Sequence, residues 1–286
     1  MLANIDLSRK VSREDFKKAK DNYEIRLGQL QRKVKEIGLP VAIVFEGWEA
    51  AGKGTLVNEL ILPLDPRGFK VHSILPPNEE ESLRPFLWRF WIRTPADGRI
   101  IIFDRSWCRG ILNDRVEGRL KEEDLMKAVR DIRSFERQLS DDGTVIIKFF
   151  LHISKSEQKK RFNKLLKNQA TAWRVSKKDL ARHKQYDRYL DAAEDMLVKT
   201  DSEFAPWTVI ESHNHRFAAL KMFSTVIDAL ESGIHSLEKK NGFTKTTKKH
   251  ADKKNAGLSI SILDKVDTSL SLERDKYRKL LKKKQK

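Results

Sequence analysis

The sequence predicts a three-layer α/β fold in which a five-stranded parallel sheet lies between helices on both faces. Short apolar runs bounded by turn residues recur along the chain, and the segments between them are long enough to form helices. Strands that are apolar on both sides are typical of a parallel sheet covered on both faces. The five apolar runs occupy residues 41–46, 69–74, 99–103, 144–152 and 207–210.

The first predicted element is an amphipathic helix over residues 12–36. Apolar side chains recur there at steps of three and four, which places them on one helix face. Ser12 is a candidate side-chain cap at the beginning, and Gly38 with Pro40 ends the helix. The apolar positions are Phe16, Ala19, Tyr23, Leu27, Leu30 and Val34.

The composition of the 286 residues excludes a membrane-spanning protein and predicts a cytoplasmic one. Hydrophobic residues make up 39% of the chain and charged residues 35%, and no apolar run is long enough to cross a bilayer. The first residues lack the apolar stretch of an export signal, so we expect no export. Cys108 is the only cysteine, which excludes an internal disulfide and favours a reducing compartment.

The formal charge of +17 is concentrated in two blocks. Residues 155–184 contain 11 Lys and Arg against 2 acidic residues, and residues 239–286 contain 16 against 5. Because the rest of the chain is close to neutral, this distribution argues against nucleic acid as the partner. Like charges as dense as those in residues 155–184 repel unless an anion lies among them. The first block therefore predicts an anionic ligand, and a solvated helical hairpin is the alternative.

We expect the chain to divide near residue 238. Residues 1–238 are predicted to form one α/β domain, and residues 239–286 begin as a Lys-rich basic linker with few apolar residues. Residues 267–279 match residues 6–18 at one fixed offset, with identities at Asp6, Ser8 and Arg13 among others. This match suggests the beginning of a second, truncated repeat, and a generic Lys-rich amphipathic helix is the alternative.

A phosphate-binding loop follows the first predicted strand. Residues 47–55 read GWEAAGKGT and precede a helix-like segment, which is the context that such a motif requires. Backbone N–H groups of the loop wrap phosphate oxygens, and Lys53 adds a positive charge. Gly54 moves the motif's hydroxyl to Thr55, as in nucleoside monophosphate kinases. The alternative is a tight strand-to-helix turn without a ligand. The predicted phosphate-binding residues are Gly47, Ala50, Ala51, Gly52, Lys53, Gly54 and Thr55.

The third predicted strand runs into an Asp-Arg pair. A carboxylate at the end of an apolar strand is the usual second element of phosphate-transferring machinery, where it holds Mg²⁺ directly or through water. We therefore expect Asp104 to hold Mg²⁺, with Mn²⁺ as an alternative, and Arg105 to contact a phosphate. An aspartate that only caps the next helix is the other interpretation of Asp104.

The basic block after the fourth strand predicts a helical lid over about residues 155–190. Lids at this position close over the transferring phosphate and carry arginines that stabilise its charge. Arg161 is the strongest candidate for that role, and Lys164 and Arg174 are further predicted phosphate-binding residues. For the neighbouring Trp173, a position in the hydrophobic core is an equal alternative.

Several separated segments, taken in order, resemble the polyphosphate kinase 2 family, and specifically its polyphosphate:AMP phosphotransferases. They span residues 6–231 and read GWEAAGKGT, LDPRGF, RPFLWRFW, IFDRSW, DRVEG, LHISKSEQKKRF, AWRVSKKD, YDRY and APWTVIES. The resemblance implies a P-loop kinase fold and Mg²⁺-dependent, reversible transfer of the terminal phosphate of inorganic polyphosphate. The implied acceptor is an adenine nucleotide, or alternatively a guanine nucleotide. Conversion of AMP to ADP is favoured over conversion of ADP to ATP.

The resemblance also implies roles for individual residues. The catalytic set is Glu49, Lys53, Asp104, Arg105 and Arg161, with Glu49 beside Asp104 at the metal and Arg115 on a phosphate or nucleotide. The acceptor phosphate is already an anion at neutral pH, so we expect Glu49 to organise metal or water rather than accept a proton. Family analogy and the long first helix also favour a homo-oligomer.

Two other functions share parts of this pattern. An ATP-dependent nucleoside monophosphate kinase would use the same loop, strand-end pair and lid arginine. A protein that binds polyanions without turnover would use only the basic blocks. A long polyanion needs an extended track of cations, whereas ATP needs a small cluster, so residues 155–184 favour polyphosphate as the donor.

Overall fold

The structure is a computed structural model that describes residues 2–119, 121–251, 274, 276, 277 and 284. Its five strands form one sheet in the order β2-β3-β1-β4-β5, and all neighbouring strands are parallel. The predicted five-stranded parallel sheet is confirmed, and every strand boundary lies within one residue of its prediction. The strands are β1 (Val41–Gly47), β2 (Phe69–Ser73), β3 (Ile100–Asp104), β4 (Val145–His152) and β5 (Trp207–Glu211).

Helices fill the connections between the strands. A short 3₁₀ helix, Leu2–Asn4, precedes them. The α-helices are α1 (Arg13–Ile37), α2 (Lys53–Ile61), α3 (Glu79–Ser82), α4 (Trp88–Trp91), α5 (Arg109–Val116), α6 (Glu122–Asp141), α7 (Lys155–Lys167), α8 (Gln169–Ala172), α9 (Lys177–Lys184), α10 (Tyr186–Thr200) and α11 (His215–Ala251).

Helix α1 forms where the sequence predicts it, and both predicted caps are present. The Ser12 hydroxyl accepts a hydrogen bond of 3.0 Å from the backbone N–H of Asp15. Gly38 takes the left-handed conformation, with φ of 75°, and its N–H donates to the Val34 carbonyl. A residue with a Cβ is strained at this φ, which explains why the helix ends on glycine.

The strand order places the helices on two faces of the sheet. The chain moves in one direction from β1 to β2 and in the opposite direction from β2 through β3, β4 and β5. Because parallel crossovers are right-handed, α2 lies on one face while α5, α6 and α10 lie on the other. Strand β1, whose seven residues are all buried, is the centre of this arrangement. The loop after β1 therefore lies at the carboxyl edge of the sheet, where the connections diverge to opposite faces and open sheets bind their ligands.

Chain contacts divide the protein into two units, Met1–Lys240 and Asn241–Lys286. The sequence predicts a linker from residue 239, but helix α11 spans His215–Ala251 and therefore includes the first residues of that segment. The assignment of residues 1–238 to one domain stays a prediction. The predicted repeat at 267–279 lies outside the described residues apart from residues 274, 276 and 277. Within the described ranges, the helices are all too short or too polar to cross a membrane.

Candidate active site

The loop between β1 and α2 has the backbone of a phosphate cradle. Gly47, Ala50 and Gly52 have positive φ angles of 126°, 61° and 105°. A Cβ on Gly47 would lie 2.3 Å from the Leu151 carbonyl oxygen, so only glycine fits there. Gly52 is the N-cap of α2 and makes no side-chain capping hydrogen bond. The first-turn N–H groups of α2 are therefore available to an anion.

The Lys53 side chain folds back over this loop and is 7% exposed. Its ammonium donates hydrogen bonds of 2.9 Å to the carbonyl oxygens of both Gly47 and Trp48. It also lies 3.8 Å from the Glu49 carboxylate. These contacts hold the predicted phosphate-binding cation against the loop.

Helix α7 binds the next three carbonyls of the loop. Gln158 donates from its amide nitrogen to the Glu49 carbonyl oxygen at 3.1 Å. Arg161, one turn further along α7, donates from Nη1 to the carbonyls of Ala50 and Ala51, both at 3.0 Å. Since the C=O and the N–H of a trans peptide point in opposite directions, these contacts turn the loop N–H groups away from α7.

Glu49 is surrounded by cations. Its carboxylate contacts the guanidinium of Arg109 and lies 3.6 Å from Nη2 of Arg105. Burial raises the pKa of the Glu49 carboxyl, but Lys53, Arg109 and Arg105 outweigh burial and hold that pKa well below its usual range. Glu49 is therefore ionised at neutral pH, and its contacts are those of a residue that positions cations.

Asp104 is the last residue of β3, beside Phe45 of β1 in the sheet register. Within the described part of the chain, the Asp104 carboxylate accepts no hydrogen bond, and no cluster of three metal-ligating side chains occurs. The Asp104 carboxylate interacts electrostatically with Arg109. It fits Mg²⁺, which commonly uses one or two carboxylates and completes its shell with water and phosphate oxygens. The Thr55 hydroxyl, exposed on the first turn of α2, is a second oxygen in the predicted loop.

Arg105 follows Asp104 in a strained backbone conformation. Its φ is 77°, and its N–H donates to the Phe45 carbonyl at 2.8 Å. A left-handed conformation costs a residue with a Cβ about 1–2 kcal/mol, and such strain concentrates at functional sites. The turn directs the chain from β3 toward α5 and places the Arg105 guanidinium beside Glu49.

Glu46 and Arg109 are part of this site and were not among the predicted residues. Glu46 is fully buried and accepts hydrogen bonds from the N–H and the hydroxyl of Ser106 at 3.0 and 2.8 Å. Arg109 Nη1 lies 3.3 Å from the same carboxylate. A single Glu inside the apolar run VAIVFEG is the sequence signal that could have identified Glu46, because a buried carboxylate needs partners.

Arg161 makes protein contacts with its whole guanidinium in this conformation. Besides the loop carbonyls, it contacts the Glu157 carboxylate at 2.8 Å and the His213 carbonyl at 3.2 Å, and it also bonds to the Ser212 carbonyl. These contacts join α7, the loop and the exit of β5. The predicted contact between Arg161 and the transferred phosphate stays a prediction.

The other predicted phosphate-binding residues lie on helices around the loop. Arg115 on α5 pairs with Asp195 on α10, so its charge is already matched within the protein. Lys164 on α7 is exposed. Arg174 is exposed and lies 5.5 Å from the ring of Trp173. Trp173 is itself 76% exposed, so the alternative of a core position for this residue is wrong.

The predicted lid segment folds into α7, α8, α9 and the first turn of α10, which confirms its helical character.

The beginning of α10 is joined to the phosphate loop by aromatic packing. The Trp48 ring stacks on the Tyr186 ring at 4.2 Å, and the indole N–H of Trp48 donates to Nδ1 of His152 at 2.9 Å. The Tyr186 hydroxyl donates to the Ile153 carbonyl at 2.7 Å.

The sequence profile of the family described as Polyphosphate kinase 2 matches residues 10–238. This chain belongs to the polyphosphate kinase 2 family. It is 36% identical over 232 residues to a Pseudomonas aeruginosa protein named polyphosphate:AMP phosphotransferase. The aligned region covers 81% of this chain and 47% of the relative. It is 35% identical over 191 residues to an AMP/ADP-polyphosphate phosphotransferase of Meiothermus ruber, which covers 67% of this chain and 72% of that protein.

A solved structure supports the same assignment. The crystal structure of polyphosphate kinase 2 from Arthrobacter aurescens TC1 is similar with a TM-score of 0.78 at 32% identity, over 81% of this chain and 85% of the other. The chain spans about half the length of the polyphosphate:AMP phosphotransferases that it matches. The resemblance deduced from the sequence motifs is therefore confirmed for the family.

Proposed function

We propose that this chain transfers the terminal phosphate of inorganic polyphosphate to a nucleotide, with AMP as the favoured acceptor and ADP as a second one. The observation that carries the proposal is the pairing of a phosphate loop with a strongly basic helical segment bonded directly to it. The loop supplies Lys53 and free N–H groups, and α7 bonds the loop through Gln158 and Arg161. The family to which the chain belongs supports the same chemistry.

The loop would bind the phosphoryl group that is transferred. Phosphoryl transfer needs positioning and charge stabilisation more than covalent catalysis. The amides at the beginning of α2 and the Lys53 ammonium would hold the phosphate oxygens, and Arg105 would add charge beside them. Glu49 would keep Arg105, Arg109 and Lys53 in place without accepting a proton.

Asp104 would hold Mg²⁺, or alternatively Mn²⁺. A bound Mg²⁺ supplies positive charge that neutralises the phosphate oxygens during transfer. The Asp104 carboxylate is the ligand that this chain offers, and Thr55 is placed to contribute its hydroxyl. Glu49 is less suited to be a ligand, because its carboxylate already faces two guanidinium groups and an ammonium.

The basic segment favours polyphosphate over ATP as the donor. Many of its cations lie on the surface and are free to follow an extended chain of phosphates. ATP would need only the cations at the loop. The exposed cations of this segment are Lys155, Lys159, Lys160, Lys164, Lys167, Arg174, Lys177, Lys178 and Lys184.

Nucleotide chromatography tests the proposal. The purified chain is incubated with Mg²⁺, long-chain polyphosphate and either AMP, ADP or GDP in the absence of ATP, and an ATP-plus-AMP reaction is the control. ADP formed from AMP supports the proposal, and ATP formed only from ADP makes ADP the acceptor. Turnover only with ATP would establish a nucleoside monophosphate kinase. Salt-sensitive polyphosphate binding without turnover would establish a polyanion-binding protein.

Two further expectations concern the state of the protein in the cell. We propose that it acts as a homo-oligomer in the cytoplasm, as family analogy and the single buried cysteine favour. Light scattering on the purified chain tests the first point, and fractionation of the native cells tests the second.

A further inference from the structure

Gln158 is unusual among the side chains of α7. The helix is rich in exposed cations, yet Gln158 is only 4% exposed, and its amide is held on both sides. The amide nitrogen donates to the Glu49 carbonyl at 3.1 Å. The amide oxygen lies 2.7 Å from Nδ1 of His183, on α9. Gln158 is therefore a direct bridge between the phosphate loop and the second long helix of the basic segment.

The direction of both hydrogen bonds follows from their chemistry. A carbonyl oxygen only accepts, so the NH₂ group of Gln158 must face Glu49. The amide oxygen then faces His183, and because that oxygen also only accepts, Nδ1 of His183 must carry the proton. The ring of His183 is further fixed by Phe162 of α7, at 5.9 Å and nearly perpendicular. Two hydrogen bonds in series therefore connect α9 to the loop: His183 on α9 donates to Gln158 on α7, and Gln158 donates to the Glu49 carbonyl.

We propose that Gln158 is a positioning residue through which the position of helix α9 controls the geometry of the phosphate loop. The proposal rests on the phosphotransfer function and adds a regulatory contact to it. When His183 donates to Gln158, the amide is oriented to hold the Glu49 carbonyl, and the loop N–H groups point to the phosphate site. When α9 moves away, Gln158 loses its orientation and the loop loses one of its carbonyl contacts. Arg161 keeps the neighbouring carbonyls of Ala50 and Ala51, so the loop is loosened rather than unfolded.

Hydrogen exchange of the loop amides tests this link without requiring turnover. His183 does not touch the loop, so we expect His183→Leu, like Gln158→Leu, to accelerate exchange of the Ala51 amide, which donates to the Trp48 carbonyl at 3.1 Å, by at least about threefold. His183→Asn keeps a donor near the position of Nδ1 and should restore slow exchange. His235→Leu, on the exposed part of α11, is the matched control. Loop exchange that is unchanged in His183→Leu would overturn the proposal.

Kinetics supply the second test. We expect Gln158→Leu and His183→Leu each to lower kcat at saturating polyphosphate by about tenfold, with the KM for AMP changed less than about twofold, because the loop would hold the transferred phosphoryl group rather than the acceptor. The double variant should lose no more than either single one, since both break the same chain. Gln138→Leu, on the exposed face of α6, controls for loss of a glutamine. Additive losses, or a kcat within twofold of the unmodified chain in Gln158→Leu, would contradict the proposal. If the unmodified chain shows no phosphotransfer, the function fails while the exchange experiment still decides the link.

Discussion

Arg109 on helix α5 contacts the carboxylate of Glu49 in the phosphate loop, and its other guanidinium nitrogen lies 3.3 Å from fully buried Glu46. One cation therefore joins two carboxylates that follow each other closely at the end of β1. Because Glu46 cannot reach water, this contact stabilises the loop as well as positioning it.

Replacing Arg109 by leucine should destabilise the fold. The substitution leaves the buried Glu46 carboxylate with only Ser106 and the N–H of Gly47 as partners, and breaking a buried pair costs about 3–5 kcal/mol. Urea unfolding of Arg109→Leu measures the loss. Arg137→Leu is the control, because the pair of Arg137 with Asp141 is exposed and should change stability by less than about 0.5 kcal/mol. A loss as small as that of the control would show that Glu46 is satisfied without Arg109.

Lys53→Ala should abolish phosphotransfer and leave the fold intact. The ammonium is the cation closest to the loop carbonyls, and removing it should lower kcat by at least about 100-fold. Initial rates with AMP and polyphosphate measure the loss, and circular dichroism reports the fold. Lys70→Ala, on exposed edge strand β2, serves as the control. Activity retained in Lys53→Ala would remove the loop from the mechanism.

Asp104→Asn should remove the response of the rate to Mg²⁺. The amide keeps the shape of the side chain but loses the charge that binds the metal, so we expect a loss of about 100-fold or more in kcat. A Mg²⁺ titration of the initial rate gives the measurement. Asp142→Asn, at the exposed end of α6, is the matched control. An unchanged Mg²⁺ dependence would show that the metal is held elsewhere.

His152 should titrate far below an ordinary histidine. Burial, together with the neighbouring His213, lowers the pKa of His152 to about 4. Nδ1 of His152 accepts from Trp48, so the neutral ring is the form that the fold stabilises. The unfolded chain binds the proton more readily, and the stability from this group is present above pH 6.5 and is lost as the pH falls toward about 4. The imidazole proton resonances of His152 followed by NMR give the midpoint, and a midpoint near 6.5 would contradict the assignment.

Removing the residues after Gly242 should spare most activity. The residues that form the loop, its carbonyl contacts and the strand ends all precede His215. We expect the shortened chain to keep kcat within about twofold. The comparison of initial rates with the full chain tests this expectation. Loss of turnover would make the basic tail part of the site.

Much of the fold could be predicted because its signals are local. The apolar run 41–46 and the motif 47–55 identify a strand, a loop and a helix within fifteen residues, and all three form there. Ser12 caps the beginning of α1 and Gly38 caps its end, each through a contact with a residue three or four positions away. Such signals need no knowledge of the tertiary structure.

The contacts that organise the site could not be predicted, because they join residues far apart in sequence. Gln158 meets the Glu49 carbonyl across 109 positions, and Glu46 meets Ser106 across 60. Their partners depend on how α7 and the β3–α5 turn pack against β1. Arg161 is another example. Its motif predicts a contact with phosphate, whereas the packing of α7 against the loop brings its guanidinium to the carbonyl oxygens of Ala50 and Ala51.

The most direct test of the central claim is ³¹P NMR of the purified chain with Mg²⁺, polyphosphate and AMP, without ATP. We expect the signal of the internal phosphates of polyphosphate to decrease as the chains shorten while the α- and β-phosphate signals of ADP appear, and Lys53→Ala should show no such change. A spectrum in which ADP appears only after ATP is added would contradict polyphosphate as the donor.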